Sequence, residues 1–148
     1  MPTILIIDDD HATRAALEML LKQKKFGVFL APDGSTGIRL IGSVCFDAVV
    51  IDMFMPGMDG LATVRQLIKI DPTVPFIAIS GYAFTDRRQG APDFLGMAIK
   101  LGATAALQKP FDILDLLEAI NRALEVRQRL LTEIKDRAGG LASVRKAS

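Results

Sequence analysis

The sequence predicts a doubly wound α/β domain built on a five-stranded parallel sheet. Short apolar runs alternate along the chain with segments in which apolar residues recur at helical spacing. The length of 148 residues suits one domain with a sizeable core. Five strands of this kind usually adopt the order 2-1-3-4-5, with a ligand site where the order reverses, outside the carboxyl ends of strands one and three.

The first half of the chain contains three of the predicted strands. Helix one carries Ala16, Leu17, Leu20 and Leu21 at helical spacing, and Asp33 is a good N-cap for helix two. The predicted elements are strand one at 3–8, helix one at about 12–24, strand two at about 27–31, helix two from Asp33 to about Val44, and strand three at 47–52.

The second half is punctuated by glycine and proline. A loop at 55–60 precedes helix three, which Asp-Pro at 71–72 stops, and 81–92 is predicted to be a long mobile loop. The remaining elements are helix three at about 61–70, strand four at 75–80, helix four at about 93–101, strand five at 104–108, and helix five from about 112 to 137. Gly139 and Gly140 are predicted to end helix five, leaving a disordered tail at 139–148.

Composition and charge exclude several kinds of partner. The net charge of +1 gives no reason to expect nucleic acid or an anionic membrane. No apolar run approaches the roughly 20 residues of a membrane span, so a cytoplasmic location is expected. The single cysteine, Cys45, rules out an internal disulfide and is predicted to be a small buried apolar residue.

Polar residues follow four of the apolar runs. Thr-Ile-Leu-Ile-Ile precedes Asp8 and Asp9, and the other three runs lead to Asp52, Ser80 and Lys109. These strand ends share one edge of a parallel sheet, so three carboxylates, a hydroxyl and an ammonium are expected to meet there. Clustered carboxylates repel each other and favour a hard divalent cation such as Mg²⁺. A cation, a hydroxyl and a lysine around one remaining carboxylate suit the chemistry of an aspartyl phosphate.

Four motifs resemble a known family. Ile-Ile-Asp-Asp-Asp at 6–10, Asp-Met-Phe-Met-Pro-Gly-Met-Asp-Gly at 52–60, Ile-Ala-Ile-Ser-Gly at 77–81 and Lys-Pro-Phe at 109–111 are similar to the receiver domain of two-component response regulators, of the chemotaxis-receiver type. The resemblance covers residues 3 to about 125 and implies a flavodoxin-like fold. The predicted division is a receiver domain at 1–125, an extension of its last helix at 126–138, and the tail.

The resemblance implies a role for each motif residue. Asp52 would accept a phosphoryl group from a histidine kinase or a phosphotransfer protein, and would pass the signal to an unknown downstream protein. Ser80 would hydrogen-bond a phosphoryl oxygen, and Lys109 would pair with the phosphoryl group or with Asp52. Mg²⁺ would bind Asp9 directly, together with Asp52 and the backbone carbonyl of Phe54, and Asp8 would act through water or by shaping the site.

Neighbouring motif residues have structural interpretations. Asp10 is expected to cap helix one rather than bind metal, and His11 is expected to be an exposed first-turn residue. Pro110 resembles the family's cis proline, which would aim Lys109 inward. Gly57 and Gly60 resemble turn glycines that let the loop after Asp52 fold back.

Two departures from the family pattern concern signal output. The switch aromatic of the family lies three residues before the lysine, and Ala106 occupies that position here. Ser80 and Lys109 are separated by 28 residues, several more than usual, and the extra length lies before helix four. Tyr82 or Phe84 in that loop could supply the missing aromatic, although plain packing or exposure is the favoured explanation of both. Bulky Phe54 and Tyr82 would also shield the phosphoryl group from water.

Other functions are weighed against the receiver. A phosphatase of the haloacid dehalogenase type needs a second aspartate two residues after the nucleophile, where this chain has Phe54. A phosphorylation-independent interaction module would not need the complete acidic, hydroxyl and lysine set. The chain is thus expected to be a non-enzymatic switch. The alternative that stays open is the receiver half of a longer response regulator, either a transcription factor or an enzyme, because only about a dozen residues follow helix five.

Helix five carries a further prediction. Ile113, Leu117, Ile120, Leu124, Leu131 and Ile134 follow a near-heptad spacing broken by Arg127. A helix from 112 to 137 would be roughly 39 Å long, longer than a small sheet can cover. Its second half would expose Leu130, Leu131 and Ile134, so we predict pairing in a homodimer, flanked by Arg127, Arg129 and Glu133. The alternatives are that the stripe folds back onto its own domain, or that it once led into a lost output domain.

Overall fold

A computed structural model describes residues 1–55, 59–81 and 93–147, with side chains to Gly139. These residues form one five-stranded sheet of order β2-β1-β3-β4-β5, with every neighbouring pair parallel, as predicted. The strands are β1 (Thr3–Ile7), β2 (Gly27–Ala31), β3 (Ala48–Asp52), β4 (Phe76–Ser80) and β5 (Ala105–Gln108). The helices are α1 (His11–Gln23), α2 (Gly34–Ser43), α3 (Gly60–Ile70), α4 (Phe94–Lys100) and α5 (Ile113–Ala147).

The register of the sheet aligns the polar strand ends. Ile7 pairs with Ile51, so Asp8 and Asp52 each follow the same pair. Asp52 in turn pairs with Ile79, and Ser80 pairs with Gln108. Asp8, Asp52, Ser80 and Lys109 therefore lie at one edge of the sheet. The strand order reverses between β1 and β3 at this edge.

The core has two layers, one on each face of the sheet. Alternation along each strand divides its side chains between the layers, which is the period of two that a strand imposes. The α2–α3–α4 layer includes Leu5, Ile7, Val49, Ile51, Val64 and Leu67. The α1–α5 layer includes Ile4, Ile6, Val50, Ile77, Leu17, Leu21, Leu116 and Ile120. Burial on both faces explains why the strands read as continuous apolar runs rather than as alternating patterns.

Aspartates begin the first four helices. Asp10 accepts a hydrogen bond from the backbone N–H of Thr13 at 3.3 Å, and Asp33 accepts one from Thr36 at 2.7 Å. Asp59 and Asp93 cap α3 and α4 in the same way. Such caps satisfy backbone donors that have no partner inside the helix. The capping role predicted for Asp10 is confirmed, and His11 is exposed in the first turn as predicted.

The first half of helix α5 packs on the sheet, as predicted, but through a face that only partly matches the predicted heptad. Its buried residues are Leu116, Ala119, Ile120 and Ala123, whereas Ile113 is exposed. Leu117 and Leu124 pack against the same layer but are only partly buried. A broad sheet accepts a wider apolar face than the narrow heptad seam of a coiled coil, so the heptad pattern selected only part of the contact.

The predicted end of helix five near Arg137 is wrong. Helix α5 continues through Gly139 and Gly140 to Ala147, so the region predicted as a disordered tail is mostly helical. Glycine costs a helix interior about 1 kcal/mol relative to alanine, but adding a residue to a formed helix is far easier than starting one. The alanine, leucine, arginine and lysine residues beyond the glycines favour that continuation.

Arg127 belongs to the domain rather than to the flank of a dimer. It is 8% exposed, and its guanidinium donates to the hydroxyl of Thr73 at 2.9 Å. Its Nε lies 3.4 Å from a carboxylate oxygen of Asp47, and a further nitrogen lies 3.9 Å from Asp71. The guanidinium thereby ties α5 to the amino-terminal side of the sheet, and the predicted flanking role of Arg127 is wrong.

Cys45 is exposed, which corrects its predicted burial, because it lies between the end of α2 and the buried Phe46. Within the described residues, no helix combines the length and apolar character that crossing a bilayer requires.

Candidate functional site

The structure brings the predicted site residues together at one edge of the sheet. Asp8 follows β1, while Asp52 and Ser80 are the last residues of β3 and β4. All three side chains are buried, and Asp52 is only 4% exposed. Asp9 is exposed beside them. Their convergence follows from the topology, because parallel strands end at the same edge and the buried strands leave little freedom at their last residue.

Lys109 supplies the positive charge of the site. Its Nζ lies 2.7 Å from a carboxylate oxygen of Asp8 and 3.4 Å from one of Asp52. The backbone N–H of Lys109 donates to the carbonyl of Ser80 at 2.8 Å, which fixes the lysine at the end of β5 beside β4. The peptide bond between Lys109 and Pro110 is cis, as the resemblance implies.

The carboxylates form a group suited to a divalent cation. Asp8, Asp9 and Asp52 each offer an oxygen, and these oxygens lie within 4.8 Å of one another. An all-oxygen donor set at the surface edge of a sheet, with one exposed member, fits Mg²⁺, which binds through few carboxylates and keeps several waters. The net charge of the three aspartates and Lys109 is −2, which a dication would neutralise.

The electrostatics of the site depend on burial as well as on charge. Burial raises the pKa of Asp52 to about 6, and the negative charge of Asp8 also raises it, although Lys109 and the N–H of Phe54 oppose the shift. Burial alone would lower the pKa of Lys109, but its hydrogen bond to Asp8 and the charges of Asp52 and Asp8 raise it. Lys109 therefore stays protonated, while the Asp52 carboxylate is ionised at a cost to stability.

That cost gives an expected dependence of stability on pH. In EDTA, the free energy of unfolding of the parent should fall as the pH rises from 4 to 6, because the unfolded chain releases the Asp52 proton at lower pH than the folded chain. We expect Asp52→Asn to be more stable by about 2–3 kcal/mol at pH 7, and the difference to shrink toward zero near pH 4. Urea titrations across this range would measure it, and a difference independent of pH would contradict the assignment.

Phe54 touches the site through its backbone. Its N–H donates to Oδ1 of Asp52 at 3.0 Å, while its side chain is 47% exposed and contacts the ring of Phe94. The assignment of its carbonyl as a metal ligand stays a prediction. The shielding role of Phe54 and Tyr82 also stays a prediction, and Tyr82, Phe84 and Gly57 lie outside the described residues.

Gly60 supports the site from behind. It begins α3, and a Cβ added there would collide with the Cα of Met53 and lie 2.9 Å from the carbonyl oxygen of Asp52. Only a residue without a side chain allows α3 to start this close to the end of β3. The predicted turn role of this glycine is therefore sharpened to a close approach between two backbones.

Sequence reasoning missed two residues near the site. Arg14, in the first turns of α1, donates to the backbone carbonyl of Asp8 at 2.7 Å. Phe94, the first residue of α4, contacts Phe54 with ring centroids 5.7 Å apart. The position of Arg14, six residues after Asp8 at the start of a helix, is a signal that could have identified the first contact. No local sequence signal identifies the second.

The arrangement as a whole can support phosphoryl transfer. The buried carboxylate of Asp52 lies beside a fixed ammonium group, a buried hydroxyl and a cluster of oxygen donors that could hold a cation. Phosphoryl transfer requires chiefly positioning and neutralisation of charge, both of which this set provides.

Comparison with known proteins agrees with this geometry. The family model described as the response regulator receiver domain matches residues 4–121, and the chain therefore belongs to the response regulator receiver family. It is 35% identical over 121 residues to the response regulator MprA of Mycolicibacterium vanbaalenii, covering 82% of this chain and 49% of that protein. It is 28% identical over 124 residues to sporulation initiation phosphotransferase F of Bacillus subtilis, covering 84% of this chain and 94% of that protein.

Solved structures show the same fold. A response regulator receiver domain protein from Clostridium thermocellum superimposes with a TM-score of 0.77 at 32% identity, covering 88% of this chain and 99% of that chain. A CheY-like response regulator receiver domain protein from Methanospirillum hungatei gives a TM-score of 0.78 at 26% identity, covering 87% of this chain and 98% of that chain. The predicted family and the flavodoxin-like topology are thus confirmed.

Proposed function

We propose that this protein is a cytoplasmic, Mg²⁺-dependent phosphoacceptor, phosphorylated on Asp52 by a histidine kinase or a phosphotransfer protein. The observation that carries the proposal is the position of Asp52, which is buried at the end of β3 with Lys109 at 3.4 Å and with Asp8 and Asp9 beside it. Membership of a family whose domains act in two-component signalling supports it.

The reaction is a transfer between two nucleophiles. An oxygen of Asp52 attacks the phosphorus of a phosphohistidine, a P–O bond forms, the P–N bond breaks, and the histidine nitrogen leaves with the bonding electron pair. Lys109 holds the carboxylate and is placed to neutralise charge on the incoming phosphoryl oxygens, and Ser80 offers its hydroxyl to one of them. A bound Mg²⁺ would be held by Asp8, Asp9 and Asp52, and would supply further charge neutralisation.

The proposal is tested with a small-molecule donor. Acetyl phosphate with Mg²⁺ should add the mass of one phosphoryl group to the intact protein, and EDTA should prevent the addition. The modification should resist acid and be lost in base, as an acyl phosphate would be. The proposal would be refuted if the protein gained a phosphoryl group neither from acetyl phosphate nor from any histidine kinase of its host.

The role of the acidic pair is tested through metal affinity. Asp9→Ala removes a negative charge and an exposed oxygen donor from the cluster, so we expect at least a tenfold weaker affinity for Mg²⁺. Calorimetry or NMR shifts would measure this, since the chain has no tryptophan. Asp10→Asn is the matched control, because asparagine still caps α1 and Asp10 is bound to Thr13. Equal affinities in Asp9→Ala and the parent would contradict the metal assignment.

Whether the signal passes to another domain or to another protein is a separate question. The chain spans 49% of the response regulator MprA and 27% of the C4-dicarboxylate transport transcriptional regulatory protein DctD of Rhizobium meliloti. It spans 94% of sporulation initiation phosphotransferase F. The last relative favours a relay role, in which the phosphoryl group passes onward to an unknown downstream protein. The receiver half of a longer regulator is the alternative that the first two relatives favour.

We also predict that the carboxyl-terminal half of α5 mediates homodimerisation. Leu131 and Ile134 are 44% and 51% exposed on this helix. Replacing both with glutamate should convert a dimer to a monomer, as measured by light scattering at high micromolar concentration. This double substitution is preferable to truncation after Glu125, which would also delete Arg127 and its contacts with Asp47 and Thr73. A parent that is monomeric with and without phosphorylation would exclude the dimer.

A further inference from the structure

The position of the usual switch aromatic cannot transmit a signal in this chain. Ala106 lies in β5, partly buried against the α2–α3–α4 layer of the core. A methyl group has no alternative rotamers, so this side chain cannot swing between an inward and an outward position. If phosphorylation of Asp52 changes the outer surface of the domain, another contact must connect the two.

An aromatic pair provides such a connection within the described residues. The backbone N–H of Phe54 donates to Oδ1 of Asp52 at 3.0 Å. The ring of Phe54 lies against the ring of Phe94, with centroids 5.7 Å apart and planes inclined at 45°. Phe94 is the first residue of α4. A continuous path therefore leads from the carboxylate through one backbone group and two rings to a helix.

Phosphorylation would act on the first step of this path. The ionised carboxylate of Asp52 accepts a charge-assisted hydrogen bond from Phe54, and such bonds are roughly twice as strong as neutral ones. Formation of the acyl phosphate removes the carboxylate charge and places an anionic phosphoryl group beside the N–H of Phe54, so the hydrogen bond from this N–H to Asp52 changes whichever oxygen attacks. The backbone of Phe54, which carries the ring, thereby meets different polar partners from those in the unmodified protein, and the ring shifts against Phe94.

Helix α4 is the element best able to respond. It has seven residues, and Ala98 is its only fully buried side chain. Met97 and Ile99 are exposed on the same helix. Elements with few buried apolar contacts lie at the low end of local stability, so a small change in contact energy can displace them. A change at the Phe94 ring acts directly on the first turn of this weakly held helix.

We propose that the contact between Phe54 and Phe94 couples the phosphorylation of Asp52 to the position of α4, in place of an aromatic on β5. The proposal rests on the proposed function, since it requires Asp52 to be phosphorylated. It concerns the route of the signal and not the chemistry, because the ring of Phe94 is not one of the groups assigned to the phosphoryl group or to the cation.

The test compares the parent with Phe94→Leu and Phe94→Tyr, each treated with acetyl phosphate and Mg²⁺. Intact mass gives the fraction phosphorylated, and NMR gives the shift changes of the amides of α4, including those of Ala98 and Lys100. We expect all three proteins to be phosphorylated equally. The shift changes in α4 should fall to less than half in Phe94→Leu, and Phe94→Tyr, which keeps the ring, should retain them.

A second variant separates coupling from general damage. Phe29→Leu removes a ring that packs against Phe46 on another part of the sheet, and it should leave the response of α4 unchanged. Full α4 shift changes in phosphorylated Phe94→Leu would overturn the inference, and so would a phosphorylated parent in which α4 shows none. A parent that takes up no phosphoryl group would instead refute the proposed function, and the inference with it.

Discussion

Replacing Asp52 with asparagine should abolish phosphorylation of the protein. The asparagine side chain would occupy nearly the volume of the carboxylate, but the substitution removes the charged oxygen that attacks phosphorus. After incubation with acetyl phosphate and Mg²⁺, intact mass should show no phosphorylated species of the variant under conditions that label the parent. The expected effect is complete, because the proposed reaction has this one carboxylate as its nucleophile.

Two other aspartates bear on the interpretation of this result. Asp10→Asn changes an aspartate that caps α1, so the labelling of this variant should equal that of the parent. Asp8 also contacts Lys109, at 2.7 Å, and is the residue that an alternative assignment of the phosphoacceptor would choose. Peptide mapping of the labelled parent should place the phosphoryl group on Asp52. A fully labelled Asp52→Asn protein would refute the central assignment.

The site could be predicted from the sequence because it depends on strand ends. Each of Asp52, Ser80 and Lys109 follows an apolar run, and parallel strands bring such positions to one edge without any knowledge of side-chain packing. The boundaries of the strands and helices fall within one or two residues of the predicted ones, except at the end of α5.

What could not be predicted depends on contacts between residues distant in the chain. Arg127 reads as a break in a heptad, and its role appears only when α5 has packed, because Thr73 lies 54 residues away in sequence. The contact between Phe54 and Phe94 likewise requires the position of α4 relative to the loop after β3. The continuation of α5 beyond Gly140 reflects the cooperativity of a formed helix, which local glycine preferences do not capture.

Gly60→Ala should strongly destabilise the protein. The added Cβ would meet the Cα of Met53 and the carbonyl oxygen of Asp52, and neither neighbour is a flexible side chain that could move aside. Either α3 or the end of β3 must shift, and overpacking of this kind costs about 1–3 kcal/mol. We expect a loss near the upper end of that range, since the clash is with backbone, as measured by the urea midpoint at constant slope.

The matched control is Gly42→Ala, which places the same methyl group in helix α2 with no atom within 4 Å of the new Cβ. That variant should be unchanged or more stable by up to about 1 kcal/mol, because alanine is the better helix former. Since Gly60 also supports the backbone that carries Asp52, phosphorylation of Gly60→Ala by acetyl phosphate should be slower even under conditions in which the variant is fully folded. If Gly60→Ala and Gly42→Ala have the same stability, the close approach of α3 to Asp52 is not a constraint on this fold.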